Sequence, residues 1–151
     1  MGTSFDTVID LALVTVDDYK LGKLIKQSEN EFNTYVDGFL IAAIGDFDRN
    51  IRPITYDAEA RTFFIELSQE EIEILSDLWV IQWFDREIRN SAYLQNKLQI
   101  SSAFTTHSPA QSLKEKSSYV DKLREKVQQK MTQQQLSPAN FNSTLTRFGD
   151  W

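Results

Sequence analysis

The sequence has no cysteine, one histidine, five glycines and three prolines among its 151 residues. Without cysteine the chain forms no disulfide and no thiolate metal site, a composition typical of proteins folded inside a cell. The low glycine and proline content, together with 41% hydrophobic residues, excludes a fibrous or low-complexity protein. We expect a globular domain large enough to bury its own core.

Long apolar runs are also missing. The longest is FLIAAI at 39–44, far shorter than the roughly 20 residues that a membrane-spanning helix needs. The first residues, MGTSFDTVIDL, contain two aspartates and no basic residue, so no signal peptide is predicted. We therefore expect synthesis in the cytoplasm and no membrane contact.

Charge is distributed unevenly along the chain. Residues 1–107 contain 18 acidic and 9 basic residues, whereas residues 108–135 contain 3 acidic and 6 basic ones. Nucleic-acid binding depends largely on Lys and Arg that neutralise phosphates, and an acidic body repels the same phosphates. The sequence therefore argues against a DNA-binding protein.

Catalytic and metal-binding patterns are not found. His107 has no partner in a recognisable motif and is interpreted as a loop residue, and the glycines are too scattered to form a phosphate-binding loop. Asp46 and Asp48 resemble the start of a calcium loop, but the glycine and closing glutamate of that loop are missing. Glu70 and Glu71 are explained by the positive end of a helix dipole. We expect no enzyme activity, no cofactor and no metal.

Three capped starts predict three long helices. Capping boxes at 28–31 and 68–71 predict helices from about 29 to 47 and from 69 to about 98, and Ser-Pro at 108–109 predicts a helix to about 135. The first and third have an apolar face at helical spacing, and the third is otherwise charged or polar, as on a surface helix.

The remaining segments predict smaller elements. Residues 7–14 and 17–25 read as short helices, and 54–67 alternates as a small β-hairpin does. We therefore predict a mainly α fold: a helical bundle at 1–135 with three long helices, short N-terminal helices and a possible hairpin, followed by an extended tail at 136–151.

The second long helix has apolar residues around most of its circumference. Such a helix lies in the middle of a structure, and three long helices offer one monomer little to cover it with. We therefore predict that this helix is buried partly within the subunit and partly between identical subunits. The residues assigned to this core or interface are Ile72, Trp79, Trp83 and Phe84.

The tail contains aromatic residues that a free chain end does not explain. Phe141, Phe148 and Trp151 each forgo roughly 2 kcal/mol or more of burial energy in water. Either the tail folds back onto its own helices, or these residues and Arg147 bind a partner. We favour a partner-binding tail, because aromatic and arginine residues dominate protein interfaces.

Several segments together resemble the head-tail adaptor proteins of tailed bacteriophages. These are the VDDYKL stretch at 16–21, the capped helix with apolar residues at 39–43, the helix at 72–88, and residues 103–114, which are similar to phage neck proteins. The 54–67 insertion, the longer last helix and the aromatic tail depart from the shorter members of that family.

The resemblance implies a structural virion protein at the neck. Members form a ring, typically a dodecamer, which docks on the portal protein and contacts stopper or tail proteins while the genome passes through without specific binding. The C-terminal extension of such proteins often grips the portal. Two alternatives remain open: a tail-completion or stopper protein, and a non-viral helical regulator that binds an acidic protein.

Overall fold

A computed structural model of the chain describes residues 2–16, 19–100 and 108–136; for 19–21, 91–100 and 108–112 only the backbone is described. The fold is mainly helical, as predicted. Its elements, in chain order, are α1 (Phe5–Thr15), α2 (Tyr19–Gln27), α3 (Glu29–Asn50), β1 (Tyr56–Asp57), β2 (Thr62–Phe63), α4 (Gln69–Ile100) and α5 (Ser108–Gln135).

The capping chemistry that predicted the helix starts is present in the structure. The Ser28 hydroxyl accepts a hydrogen bond from the Glu31 amide at 3.3 Å. At α4 the box is reciprocal: the Glu71 amide donates to Ser68 Oγ at 3.2 Å, and the Ser68 amide donates to Glu71 Oε1 at 3.1 Å. These bonds satisfy amides that a helix start leaves without intrahelical partners.

The helix α4 lies at the centre of the bundle, as its apolar circumference predicted. It packs against α1, α3 and α5, and its buried residues lie between Glu71 and Trp83. A single chain therefore covers α4 between Glu71 and Trp83, and the apolar circumference of this part does not in itself require a second subunit. The fully buried large side chains come from α4 itself and from the elements around it. They include Phe5, Ile9, Leu40, Phe47, Phe63, Leu75 and Trp79.

The last helix, α5, is the surface helix that the sequence predicted. Its buried stripe consists of Val120, Leu123, Val127 and Met131, while most of its charged residues are exposed. Two ion pairs join α5 to α4: Lys130 contacts Asp77 at 2.9 Å, and Arg124 contacts Asp85. The basic character of this helix thus matches acidic positions on its neighbour.

The predicted hairpin at 54–67 is confirmed, with Tyr56 opposite Phe63 in an antiparallel pair. The N-terminal residues extend it, because the Thr3 and Phe63 backbones are hydrogen-bonded at 2.8 Å and Ser4 pairs with Thr62. Gly2 approaches this strand so closely that a Cβ there would lie 1.5 Å from the Phe63 carbonyl oxygen. Any larger residue at position 2 would have to displace the strand.

Two helices are longer than the sequence predicted. α1 begins at Phe5, two residues before the expected start, because Ser4 caps it by accepting from the Asp6 amide at 3.2 Å. α3 continues to Asn50, three residues beyond 47, and ends shortly before Pro53.

Candidate functional site

Trp79 lies in the core of the subunit. Its side chain has no exposed surface, and its indole N–H donates to the Val36 carbonyl oxygen at 2.9 Å. Phe39 packs edge-on against it with ring centroids 5.4 Å apart. Because every part of Trp79 contacts its own chain, its role is to hold α4 against α3.

Trp83 and Phe84 differ from Trp79 because they lead from the core to the surface. Trp83 is only 8% exposed and packs edge-on against Phe84, with ring centroids 5.0 Å apart. Half-buried Phe84 packs against Tyr119 of α5, with ring centroids 5.2 Å apart, and Tyr119 is 42% exposed. We call Phe84 and Tyr119, with Trp83 beneath them, the α4–α5 aromatic patch.

The indole nitrogen of Trp83 is a further distinguishing feature of this patch. It is buried, and no acceptor lies within hydrogen-bond distance of it in the part of the chain described above. A buried N–H without an acceptor costs about 1–3 kcal/mol of desolvation free energy. Trp83 and Trp79 therefore contribute differently to stability, although they lie one helical turn apart.

A second surface lies on the hairpin. Phe64 is 64% exposed, while its neighbour Phe63 is buried against Phe5, with ring centroids 5.2 Å apart. The Phe64 amide donates to the Thr55 carbonyl oxygen at 3.1 Å, so the backbone that presents the ring is fixed. Two acids lie in the same segment: half-buried Asp57, which is opposite Thr62, and exposed Glu66, two residues after Phe64. We call Phe64, Asp57 and Glu66 the hairpin face.

A third exposed apolar surface lies on α1. Val14 is 82% exposed and Leu11 is 39% exposed, one turn apart on the side of α1 that faces away from the core. Together with the aromatic patch and the hairpin face, α1 gives the bundle apolar side chains on three separate elements. Scattered exposed apolar residues are normal, but outward-facing aromatics at fixed positions are typical of interfaces.

Arg61 holds the hairpin to the bundle. Its guanidinium donates to both Asp37 carboxylate oxygens at 2.8 Å and contacts Asp6 at 2.9 Å, so it joins the hairpin to α3 and α1. The hydrogen bond to Asp37 raises the pKa of Arg61 above its ordinary value. Its backbone has a φ of 56°, in the left-handed region that costs a non-glycine residue about 1 kcal/mol or more. These ion pairs offset that cost.

Glu71 has a structural role that its sequence position did not reveal. It is buried, and besides its capping bonds it accepts two hydrogen bonds from Arg52, at 3.0 and 2.6 Å. The sequence-based interpretation attributed Glu71 to the capping box and the helix dipole. The structure adds an ion pair that fixes the loop after α3 to the start of α4.

We expect Glu71→Ala to lower the free energy of unfolding by about 2 kcal/mol, because it removes both the capping bond and the partner of Arg52. Glu71→Gln should lose less, since glutamine also serves in a capping box. Exposed Glu70 is the matched control, and Glu70→Ala should change stability by less than about 0.5 kcal/mol. Urea unfolding measures all three; equal losses for Glu70→Ala and Glu71→Ala would contradict this role.

A groove of about 280 Å³ lies where α3, α4 and α5 meet. Its polar residues bind one another: Gln82 donates to Asp46 at 2.9 Å, Asp46 also pairs with Arg49, and Arg124 pairs with Asp85. Asp46, which resembled the start of a calcium loop in the sequence, is thus occupied by Arg49 and Gln82. The acids that line the groove are paired with neighbouring side chains, so its lining residues present no free acid, base or nucleophile.

The remaining predicted site residues have different outcomes. Ile72 is half-buried against the core of its own subunit. Phe141, Arg147, Phe148 and Trp151 lie outside the described residues, as does His107. Within the described ranges, no group of His, Asp or Glu residues is arranged to hold a metal ion, and no helix combines the length and apolarity needed to cross a membrane.

Sequence reasoning identified Trp83 and Phe84 but missed two exposed aromatic residues, Tyr119 and Phe64. Tyr119 falls outside the buried stripe of α5 and has no neighbouring aromatic in sequence, so only the packing of α5 on α4 brings it to Phe84. Phe64 carried a weak signal, because strand alternation with buried Phe63 points it outward.

Comparison with protein families, with curated proteins and with solved structures finds no match to this chain.

Proposed function

We propose that this protein is a head-tail adaptor of a tailed bacteriophage, a structural subunit that forms a ring on the portal and joins the capsid to the tail. The observation that carries the proposal is the presentation of Val14, Phe64 and Tyr119 on three separate elements of one fixed bundle. A subunit that must contact neighbours, portal and tail needs several such surfaces. The sequence resemblance supplies the identity of those partners.

The helical architecture favours an adaptor over the stopper alternative. Stopper proteins of comparable phages tend to be rich in β-structure, whereas the strands described here comprise only Tyr56–Asp57 and Thr62–Phe63. A helical regulator with a basic last helix is the other alternative. Against it, Arg124 and Lys130 of that helix are paired with α4 of the same chain, which leaves fewer charges for an acidic partner.

The location of the chain in virions tests the proposal. An antibody against the chain should label the junction between head and tail in electron micrographs, and deleting its gene should give filled heads without attached tails. Peptide quantification should give a copy number consistent with a ring of twelve. Label elsewhere on the virion, or a chain found only as a monomer or dimer in the cytoplasm, would reject the adaptor in favour of the alternatives.

The charge of the bundle leads to a separate prediction. The purified protein should not bind duplex DNA at physiological salt, because the hairpin acids Asp57 and Glu59 are exposed or half-buried and residues 1–107 are strongly acidic. We expect any affinity to be weaker than about 10⁻⁴ M, the weak limit of non-specific binding. Fluorescence anisotropy with a labelled duplex measures it. Saturable micromolar binding would argue against a channel that lets the genome slide.

A further inference from the structure

We propose that the hairpin face of one copy, with Phe64 at its centre, docks on the α4–α5 aromatic patch of a second copy. This inference deepens the proposed function, since it assigns the contact between neighbouring subunits of the ring. Two aromatic surfaces and their flanking charges carry it.

The two surfaces cannot meet within one chain. The hairpin is held to α1 and α3 through the pairs of Arg61 with Asp6 and Asp37. The aromatic patch lies between α4 and α5, and Phe84 is about 140° around α4 from Trp79, which faces α3. Phe64 and Tyr119 therefore point from different faces of the bundle, and a contact between them joins two copies head to tail.

Both surfaces are fixed before they meet. Phe64 directly follows β2 and the buried Phe63, and its own amide is hydrogen-bonded to the Thr55 carbonyl oxygen. Tyr119 packs against Phe84, which packs against the buried Trp83. Fixed aromatics lose little conformational entropy on binding, and clusters of them form the energetic centres of interfaces.

The two surfaces carry opposite charge. The hairpin segment 54–67 contains three acidic residues, Asp57, Glu59 and Glu66, and its one basic residue, Arg61, is paired inward. The basic residues on the Tyr119 side of α5 are exposed or half-buried, and Glu115, four residues before Tyr119, is an acid on the same side. These basic residues are Lys116, Lys122 and Lys126. An acidic hairpin face thus meets a predominantly basic helix edge, and like faces repel each other.

The charge pattern also determines the kind of assembly. A contact between two different surfaces of the same chain is heterologous, and repetition of it closes a ring when the rotation between copies allows. A self-complementary contact of two hairpin faces would bring acid against acid. The proposed contact therefore favours a ring over an isolated two-fold dimer.

Cross-linking tests the contact cleanly because the chain has no cysteine. Purified Phe64→Cys and Tyr119→Cys chains, mixed at high concentration and oxidised, should form a disulfide-linked pair. Val14→Cys is the matched control, since Val14 is even more exposed than Phe64 but lies on α1. We expect at least about tenfold more product from the 64–119 mixture than from the 14–119 mixture, and less product at high salt because salt screens the charges.

A chain with both cysteines should give a ladder of multimers, whereas Phe64→Cys alone should give little dimer. Equal yields with the Val14→Cys control, or a dominant 64–64 product, would overturn the proposed contact. Circular dichroism melting of each variant confirms that it is folded.

The outcome is separate from that of the virion experiment. A neck protein that gives no 64–119 link, whether purified or in virions, forms its ring through other surfaces. A 64–119 link in a chain that labels no virion supports the contact and rejects the adaptor.

Charge reversal provides a second measurement. Glu66→Lys in both copies should reduce 64–119 cross-linking several-fold, because it places a lysine of the hairpin face near Lys122. Adding Lys122→Glu to the copy that carries Tyr119→Cys should restore the cross-linking. Loss without restoration would show that Glu66 does not face Lys122 in the contact.

Discussion

A Trp83→Ala variant should unfold with a free energy about 3–5 kcal/mol lower than the parent chain. Trp83 is 8% exposed and forms the base of the aromatic patch, so its removal opens a cavity between the core and Phe84. Domains of this size are commonly stable by only about 5–15 kcal/mol, and the variant would therefore be near the limit of folding. Thermal or urea unfolding followed by circular dichroism measures the change. A melting temperature equal to that of the parent would contradict the packed environment assigned to Trp83.

Matched tryptophan-to-phenylalanine variants separate packing from hydrogen bonding. Trp79→Phe removes the bond from the indole N–H to the Val36 carbonyl, whereas Trp83→Phe removes an N–H for which the described residues offer no acceptor. We expect Trp79→Phe to be the more destabilising by about 1–3 kcal/mol, since both substitutions remove a similar volume. The opposite order would mean that the Trp83 N–H has an acceptor beyond the described residues.

The helix starts could be predicted from the sequence because their chemistry is local. Ser28 with Glu31, and Ser68 with Glu71, are three residues apart, so the capping bonds depend on little beyond the helix itself. Ser4 was missed because Thr7, and not Glu or Gln, stands three residues after it. A single serine without a reciprocal partner is a weaker signal in any sequence.

The ion pairs that fix the loops could not be predicted in this way. Arg52 and Glu71 are 19 positions apart, and Arg61 and Asp37 are 24 apart. Each pairing depends on how α3 and α4 cross and on where the hairpin turns back, which follows from packing the whole core. The same holds for Tyr119, whose contact with Phe84 requires the register of α5 on α4. The surface sites were therefore harder to predict than the helices.

The C-terminal segment gives the prediction with the largest functional effect. Truncation after Ser137 should leave the melting temperature of the isolated protein nearly unchanged, because the described core is complete without it. The last buried side chain of α5 is Met131, and Leu136 is already 70% exposed. The same truncation should abolish attachment to portal-bearing heads, since it removes the proposed anchors Phe141, Phe148 and Trp151 together with Arg147.

Attachment is measured by incubating purified protein with tailless heads and quantifying what sediments with them. Residues 137–151 could span about 50 Å when extended, enough to cross a neighbouring subunit and reach the portal. A full-length chain with Phe141, Phe148 and Trp151 changed to Ala is the matched control, because it keeps that reach and removes only the aromatic rings. If the aromatic rings and not the length of the tail provide the affinity, this variant should lose attachment to the same extent as the truncated chain. A truncated chain that melts much lower, or that still attaches, would instead assign the tail to the fold of its own subunit.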